Sequence, residues 1–242
     1  MRIALISDIH GNVAALDAVI AELRNERVDQ IICLGDVPVG PFPVETVARL
    51  RELACPVIRG NWDALMLNGL PSFDDELGRK IAEQAAWAAA QLSEEDRDYM
   101  RTFMRQIELP LNGEGSLLCY HGSPRALDDP IEATTPVEEL ETMLGGCEAT
   151  VMAGGHTHFQ MLRLHRDSLL VNPGSVGLPF RRARPADPVQ VAAKAEYALI
   201  EADAGRIGVE LYSTSYDVEG FLRGLPSSLP HAEWWVSCWA VG

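Results

Sequence analysis

Residues 3–12 read Ile3-Ala4-Leu5-Ile6-Ser7-Asp8-Ile9-His10-Gly11-Asn12, and this stretch decides the fold. Its apolar run, residues 3–7, has the length of a short strand and stops at a carboxylate. Behind it, residues 13–27 place Leu16, Val19, Ile20 and Leu23 at the spacing of one helical face. The same pair then recurs. Residues 31–34 form a second apolar run ending at Gly35-Asp36, residues 44–53 read as a helix, and Val57-Ile58-Arg59 leads as a third strand into Gly60-Asn61. Strands alternating with helices imply βαβ units, because parallel neighbours need a crossover.

Working outward, residues 74–106 turn helical and rich in Ala and Glu. Ser93 with Asp96 resembles a capping box that starts a second helix, and Leu109-Pro110-Leu111 ends the stretch. It is read as a helical insertion at about 70–110 in a single domain spanning 1–242. Strands are expected at 116–120, 150–153, 168–171, 197–200 and 208–212, a hairpin turn at Asp203-Ala204-Gly205, and a helix near 136–144. Residues 179–189, with Arg181, Arg182 and Arg184, read as a loop. Units of βαβ followed by antiparallel strands fit a two-sheet sandwich faced by helices.

Composition narrows the function. With 47% hydrophobic and 23% charged residues in 242, the chain falls among globular proteins and outside the disordered, collagenous and coiled-coil classes. A net charge of −15 argues against duplex nucleic acid and anionic membranes, both of which need a basic face. Small anionic substrates stay open, since bound cations can reverse the local sign. The five cysteines are odd in number, show no C-x-x-C pair and mostly lie in apolar runs, so buried reduced thiols are expected. The apolar N-terminus is too short for a signal peptide, and no run approaches the roughly 18 apolar residues of a membrane span. A cytoplasmic protein is the expectation.

The chemistry gathers where strands end. Asp8 and His10 follow the first, Asp36 the second, Asn61 and Asp63 the third, His121 the run through Tyr120, and His156 and His158 the run through Ala153. Open α/β sheets bind ligands beyond the carboxyl ends of their strands. Singly, each group reads as an ordinary turn residue; together, five independent ends deliver carboxylate, amide or imidazole to one rim. Pairs two residues apart would face the same side if their backbone were extended. A nitrogen and oxygen set without thiolate suits Mn, Fe, Co, Ni or Zn more than Ca.

Asp8-Ile9-His10-Gly11-Asn12, Gly35-Asp36, Gly60-Asn61-Trp62-Asp63, His121-Gly122 and Gly155-His156-Thr157-His158 appear in the order seen in calcineurin-like metallophosphoesterases, and the chain resembles that family. With Asn172-Pro173-Gly174-Ser175-Val176-Gly177 the likeness covers about three quarters of the chain, and is similar to the small bacterial and archaeal phosphodiesterase branch. The resemblance implies a four-layer αββα sandwich of two mixed sheets with a dinuclear metal centre. Mapped onto this sequence, Asp8, His10, Asp36 and His158 would hold one divalent ion. Asp36, Asn61, His121 and His156 would hold the other, with Asp36 bridging. A hydroxide between two such cations, about 3.5–4 Å apart, would attack a phosphoester in line.

Asp36, Asn61 and Asp63 are thus the expected catalytic residues, and Asn12, Trp62 and Arg181 the expected substrate contacts. Asn12 also reads as a helix N-cap. Trp62 stands where many family members carry a His, which shifts the expectation toward leaving groups needing little protonation, such as aryl alcohols or nucleotide phosphates. Trp62 is either a stacking face or packing against the next helix. Trp234, Trp235 and Trp239 read as core or subunit contact, and His165 and His231 as structural or surface residues. The expected activity is phosphodiester hydrolysis of a small phosphoester or nucleotide. The alternatives are a phosphomonoesterase or protein phosphatase, a dinucleoside-polyphosphate hydrolase, or a non-catalytic scaffold of the same fold.

Overall fold

Alternation along the first strand sets the layers. In β1 (Arg2–Ile6), Ile3 and Leu5 join Ile32 and Leu34 in one core, while Ala4 and Ile6 join Leu16, Val19 and Ile20 of α1 (Val13–Leu23) in another. The computed structural model describes residues 1–113, 115–181 and 190–239. After α1 come β2 (Gln30–Cys33), α2 (Pro43–Leu53), α3 (Asn61–Asn68), α4 (Glu76–Gln91) and α5 (Glu94–Arg101). Next are β3 (Ile107–Pro110), β4 (Ser116–Cys119), α6 (Val137–Leu144), β5 (Val151–Ala153), β6 (Gln160–His165) and β7 (Ser168–Pro173). The last elements are β8 (Ala195–Asp203), β9 (Arg206–Thr214), α7 (Val218–Arg223) and α8 (Ala232–Trp239).

One sheet has the order β2-β1-β8-β9 and the other β3-β4-β5-β7-β6. Both are mixed: β1 and β2 run parallel, as do β4, β5 and β7, and the remaining pairings are antiparallel. Leu117 and Cys119 of β4 face the first sheet, while Leu118 and Met152 turn outward to Leu140, Met143 and Leu144 of α6. Beyond the first sheet, Val47 and Leu50 of α2, Ala85 and Ala88 of α4 and Met100 of α5 share the core of α1. The result is the αββα sandwich that the resemblance implied.

Local chemistry explains the ends. Asn12 Oδ1 accepts from Ala15 N (3.1 Å) and caps α1. Ser93 and Asp96 exchange capping bonds at α5, Asp96 N to Ser93 Oγ (3.2 Å) and Ser93 N to Asp96 Oδ2 (3.0 Å). Ala204 and Gly205 both take positive φ, 46° and 76°, as a two-residue hairpin turn requires.

Several boundaries differ from expectation. The helix read over residues 13–27 stops at Leu23. Val57 and Ile58 form only isolated bridges, to Cys33 and Met104, in place of a third strand. The stretch read as the end of the insertion is an edge strand, β3, where Pro110 closes the pairing with β4. Cys55 and Cys147 are half-buried, while Cys33, Cys119 and Cys238 are buried. No helix among the described residues is long and apolar enough to cross a membrane.

Candidate metal centre

The parallel pairs β1/β2 and β4/β5 end at the same rim, one pair from each sheet, and the loops beyond them carry the expected donors. Their backbone is not extended, which corrects the reading of same-side pairs. Asp8 (φ 53°), His10 (48°), Asp36 (54°), His156 (68°) and His158 (63°) are all left-handed. The loops hold one another in that state: Asp8 N donates to Gly35 O (2.9 Å), His10 N to Asp36 O (3.0 Å) and Gly11 N to Val37 O (3.0 Å). Gly35 (φ 104°) lies so close to the next loop that a Cβ there would sit 2.5 Å from Gly60 N.

The donors converge in two sets. Asp8, His10 and His158 form one and Asp36, His121 and His156 the other, each with ligand atoms within 4.8 Å of one another. His10 Nε2 lies 3.1 Å from His158 Nε2, which is 3.3 Å from Asp8 Oδ1. Asp36 Oδ2 stands between the sets, 3.5 Å from His121 Nε2 and 3.8 Å from His10 Nε2. Asn61 Oδ1, on the first residue of α3, is 3.0 Å from both His121 Nε2 and His156 Nδ1. All seven residues expected to bind metal are therefore neighbours.

Their hydrogen bonding fits cations. His158 Nδ1 donates to Leu178 O (2.8 Å) and His121 Nδ1 to Leu34 O (2.6 Å), so in each neutral ring Nε2 presents its lone pair to the centre. Asp8 Oδ2 accepts from Ser7 Oγ (2.5 Å) and His156 N (3.0 Å), while Asp8 Oδ1 is buried without a hydrogen bond among the described residues. Lone pairs facing lone pairs in a dry site call for a positive charge between them. An imidazole, carboxylate and amide set is the chemistry of borderline divalent ions.

Without a cation between them, carboxylates and imidazoles compensate one another. Burial works against the charge on Asp8, yet His158, His121 and His10 hold its carboxyl well below the usual range, and His121 does the same for Asp36. Burial also disfavours His121 protonation, but Asp36 and Asp8 prevail and raise it to about 9. Burial and then His158 push His10 down to about 4.

Three of the expected site residues, Asp63, Asn12 and Arg181, do not line the cleft. Asp63 is fully buried beneath the rim, where Oδ2 accepts from Asp36 N (2.9 Å) and Gly60 N (2.8 Å) and Oδ1 from Val37 N (3.0 Å). Burial and the neighbouring Asp36 charge raise its pKa to about 6. These bonds tie the loop of Asp36 to the start of α3. Asn12 is also fully buried: besides capping α1, its Nδ2 donates to Gly177 O (3.1 Å) and Tyr216 Oη (2.9 Å), so the side chain is spent inside the protein. Arg181 is exposed, held by its N–H to Gln190 O (2.9 Å), and is not among the cleft-lining residues; Arg182 and Arg184 lie outside the described residues.

Trp62 does line the cleft. Its backbone N–H donates to Asp36 Oδ1 (2.9 Å), and its ring stacks on Phe73 at 6.2 Å and 29°. Trp234 and Trp235, read as core or subunit contact, line it too. Nothing local in the sequence marks that role: α8 reaches the rim by packing on Phe221 of α7 and on Val191, which lies some forty residues earlier.

A two-sheet αββα sandwich with such donor sets beyond its strands is the architecture of metallophosphoesterases, enzymes of divalent metals. The calcineurin-like phosphoesterase superfamily domain matches residues 1–201, and the chain belongs to that family. It is 28% identical over 233 residues to the uncharacterized protein MJ0912 of Methanocaldococcus jannaschii, covering 90% of this chain and 88% of that one. A metallophosphoesterase from Sphaerobacter thermophilus superposes with a TM-score of 0.67 at 29% identity, over 95% of this chain and 96% of that one. The hypothetical protein PH1004 of Pyrococcus horikoshii shares the fold with a TM-score of 0.78 at 23% identity, over 100% of this chain and 98% of that one.

Proposed function

We propose that this protein is a metal-dependent phosphodiesterase acting on a small phosphoester at a pair of divalent cations. The carrying observation is the convergence of seven donors in two sets with Asp36 Oδ2 between them. Two bound cations supply Lewis acidity, polarising phosphoryl oxygens and generating a nucleophile from water near neutral pH. Asp36 bridges the sets, and Trp62 N–H fixes its other oxygen. Asn61 gives an uncharged oxygen, so Asp8 and Asp36 alone bring negative charge to the donor set and leave the centre attractive to an anion.

The cleft walls favour a diester. Among the described residues no Lys or Arg lines it, and its surface beyond the ligands is largely aromatic and aliphatic. A diester offers apolar substituents that the described walls can contact. A non-catalytic scaffold has no need of a complete donor set, and every donor position here carries a competent group. The shared core of α1, α4 and α5 supports one domain with a helical insertion. Turnover of bis-p-nitrophenyl phosphate and of p-nitrophenyl phosphate, each with added Mn, tests this. A higher kcat/KM for the diester is expected; preference for the monoester, or no metal-dependent turnover, overturns the reading.

A further inference from the structure

The cleft beside the two donor sets has a volume of about 210 Å³, below the roughly 300–1,000 Å³ of pockets that take drug-sized ligands. It has room for one ring system and a phosphate. Its lining combines the ligand side chains His10, Asp36, His156 and His158 with Trp62, Phe180, Ile81, Gln84, Trp234 and Trp235. A ligand filling it would meet both kinds of surface, an anionic group suiting cations held by the first and a flat ring suiting the second. The aromatic side chains are held in place: Trp62 against Phe73, Phe180 stacked on His158 (4.4 Å, 18°), and Trp235 against Trp239 (5.2 Å).

Plain apolarity is not the whole of it. Gln84 is only 2% exposed, and its Nε2 donates to Pro230 O (3.1 Å) while its Oε1 makes no hydrogen bond among the described residues. The indole N–H groups of Trp234 and Trp235 are buried without an acceptor among the described residues, closed off from the slot, and take no part in it. Gln84 Oε1 is thus an acceptor free for a ligand in a largely apolar lining. Such an acceptor beside aromatic side chains matches the edge of a nucleobase, which carries donor groups on a planar ring.

We propose that this cleft is a base-binding subsite. It takes the heteroaromatic ring of a nucleoside phosphoester beside Trp62 and the tryptophans of α8, with the ring edge read by Gln84 and the phosphate directed toward cations held by the donor sets around Asp36. The inference rests on the phosphoesterase reading for its phosphate end only.

Tryptophan fluorescence of the full chain, with Mn and again with EDTA, is read during titration with AMP, ribose 5-phosphate and phenyl phosphate. Stacking of one base is worth 1–3 kcal/mol, so AMP is expected to bind about tenfold tighter than ribose 5-phosphate. Gln84→Leu should weaken AMP about fivefold. Ile81→Trp, at a half-buried helical position, should fill the slot and abolish AMP quenching in a protein whose circular dichroism is that of wild type. AMP binding within twofold of ribose 5-phosphate, phenyl phosphate matching AMP, or AMP binding that survives folded Ile81→Trp overturns the subsite. AMP preference without metal-dependent hydrolysis of bis-p-nitrophenyl phosphate upholds the subsite and sinks the hydrolase reading; hydrolysis without AMP preference does the reverse.

Discussion

Asp8, His10, Asp36, His156 and His158 each hold a backbone conformation that costs a non-glycine residue roughly 1–2 kcal/mol. Such strain persists where surrounding bonds over-determine it. The sequence showed which donors these are, because carboxylate and imidazole are legible as letters. Their φ angles were not legible, since contacts between loops distant in sequence set them. Asp36→Asn tests the shared charge with little change of shape, because Asn tolerates left-handed backbone well. Metal-dependent turnover should fall more than about 100-fold, and Mn should no longer raise the melting temperature as it does in wild type. An unchanged rate would refute the bridging role. The thiols give a second residue-scale prediction. Burial pushes Cys55 up to about 11 and Cys33 and Cys119 higher still, so little thiolate exists at pH 8. Iodoacetamide at that pH should spare these three in the folded protein and modify them once urea unfolds it, as peptide mass spectrometry will read.

Elements with a buried stripe were the legible ones. Helix α1 shows its helical period, β1 its alternation, and α5 its capping residues. Edge strands β3 and β6 escaped notice because one flank of each is solvent. They mix Glu108, Arg163 and exposed Leu164 into runs that carry no clean pattern. Helix α3 escaped because Gly60, its N-cap, has no side chain; the cap comes from Asp63 reaching back to Gly60 N. That cap places Asn61 and leaves Asp36 no slack. A Cβ on Gly60 would lie 2.1 Å from Asp36 Oδ1 and 2.4 Å from Asp36 N. Gly60→Ala, at an ordinary φ of −81°, must therefore shift the Asp36 loop and should weaken Mn binding by about tenfold or more, measurable by calorimetric titration. Wild-type affinity in a folded Gly60→Ala protein would show that Asp36 does not need its present position.

At the scale of the molecule, the βαβ start followed by antiparallel strands sufficed to anticipate two sheets. Which sheet would take β8 and β9 was not legible, because pairing partners 200 residues apart leave no mark in local pattern. The donors come from both sheets, so bound cations clamp one sheet to the other. Anything that binds only the folded state stabilises it, by about 2.7 kcal/mol at 100 times its Kd. Saturating Mn or Zn should raise the melting temperature and EDTA should return it; a melting curve indifferent to both would mean the donor sets do not hold metal in the folded protein.

The register of β1 with β8, Ile3 opposite Ile200, also has a consequence for biosynthesis. Between the emergence of Ile6 and that of Ala195 a ribosome working at roughly 5–20 residues per second spends about 10–40 s. For that interval one margin of the earliest strand has no mate, and His156 and His158 do not yet exist for much of it. A nascent chain of this topology is an open seam until its tail arrives, so it needs shelter from neighbours on the same message, and its donor set is complete only once His158 has been made.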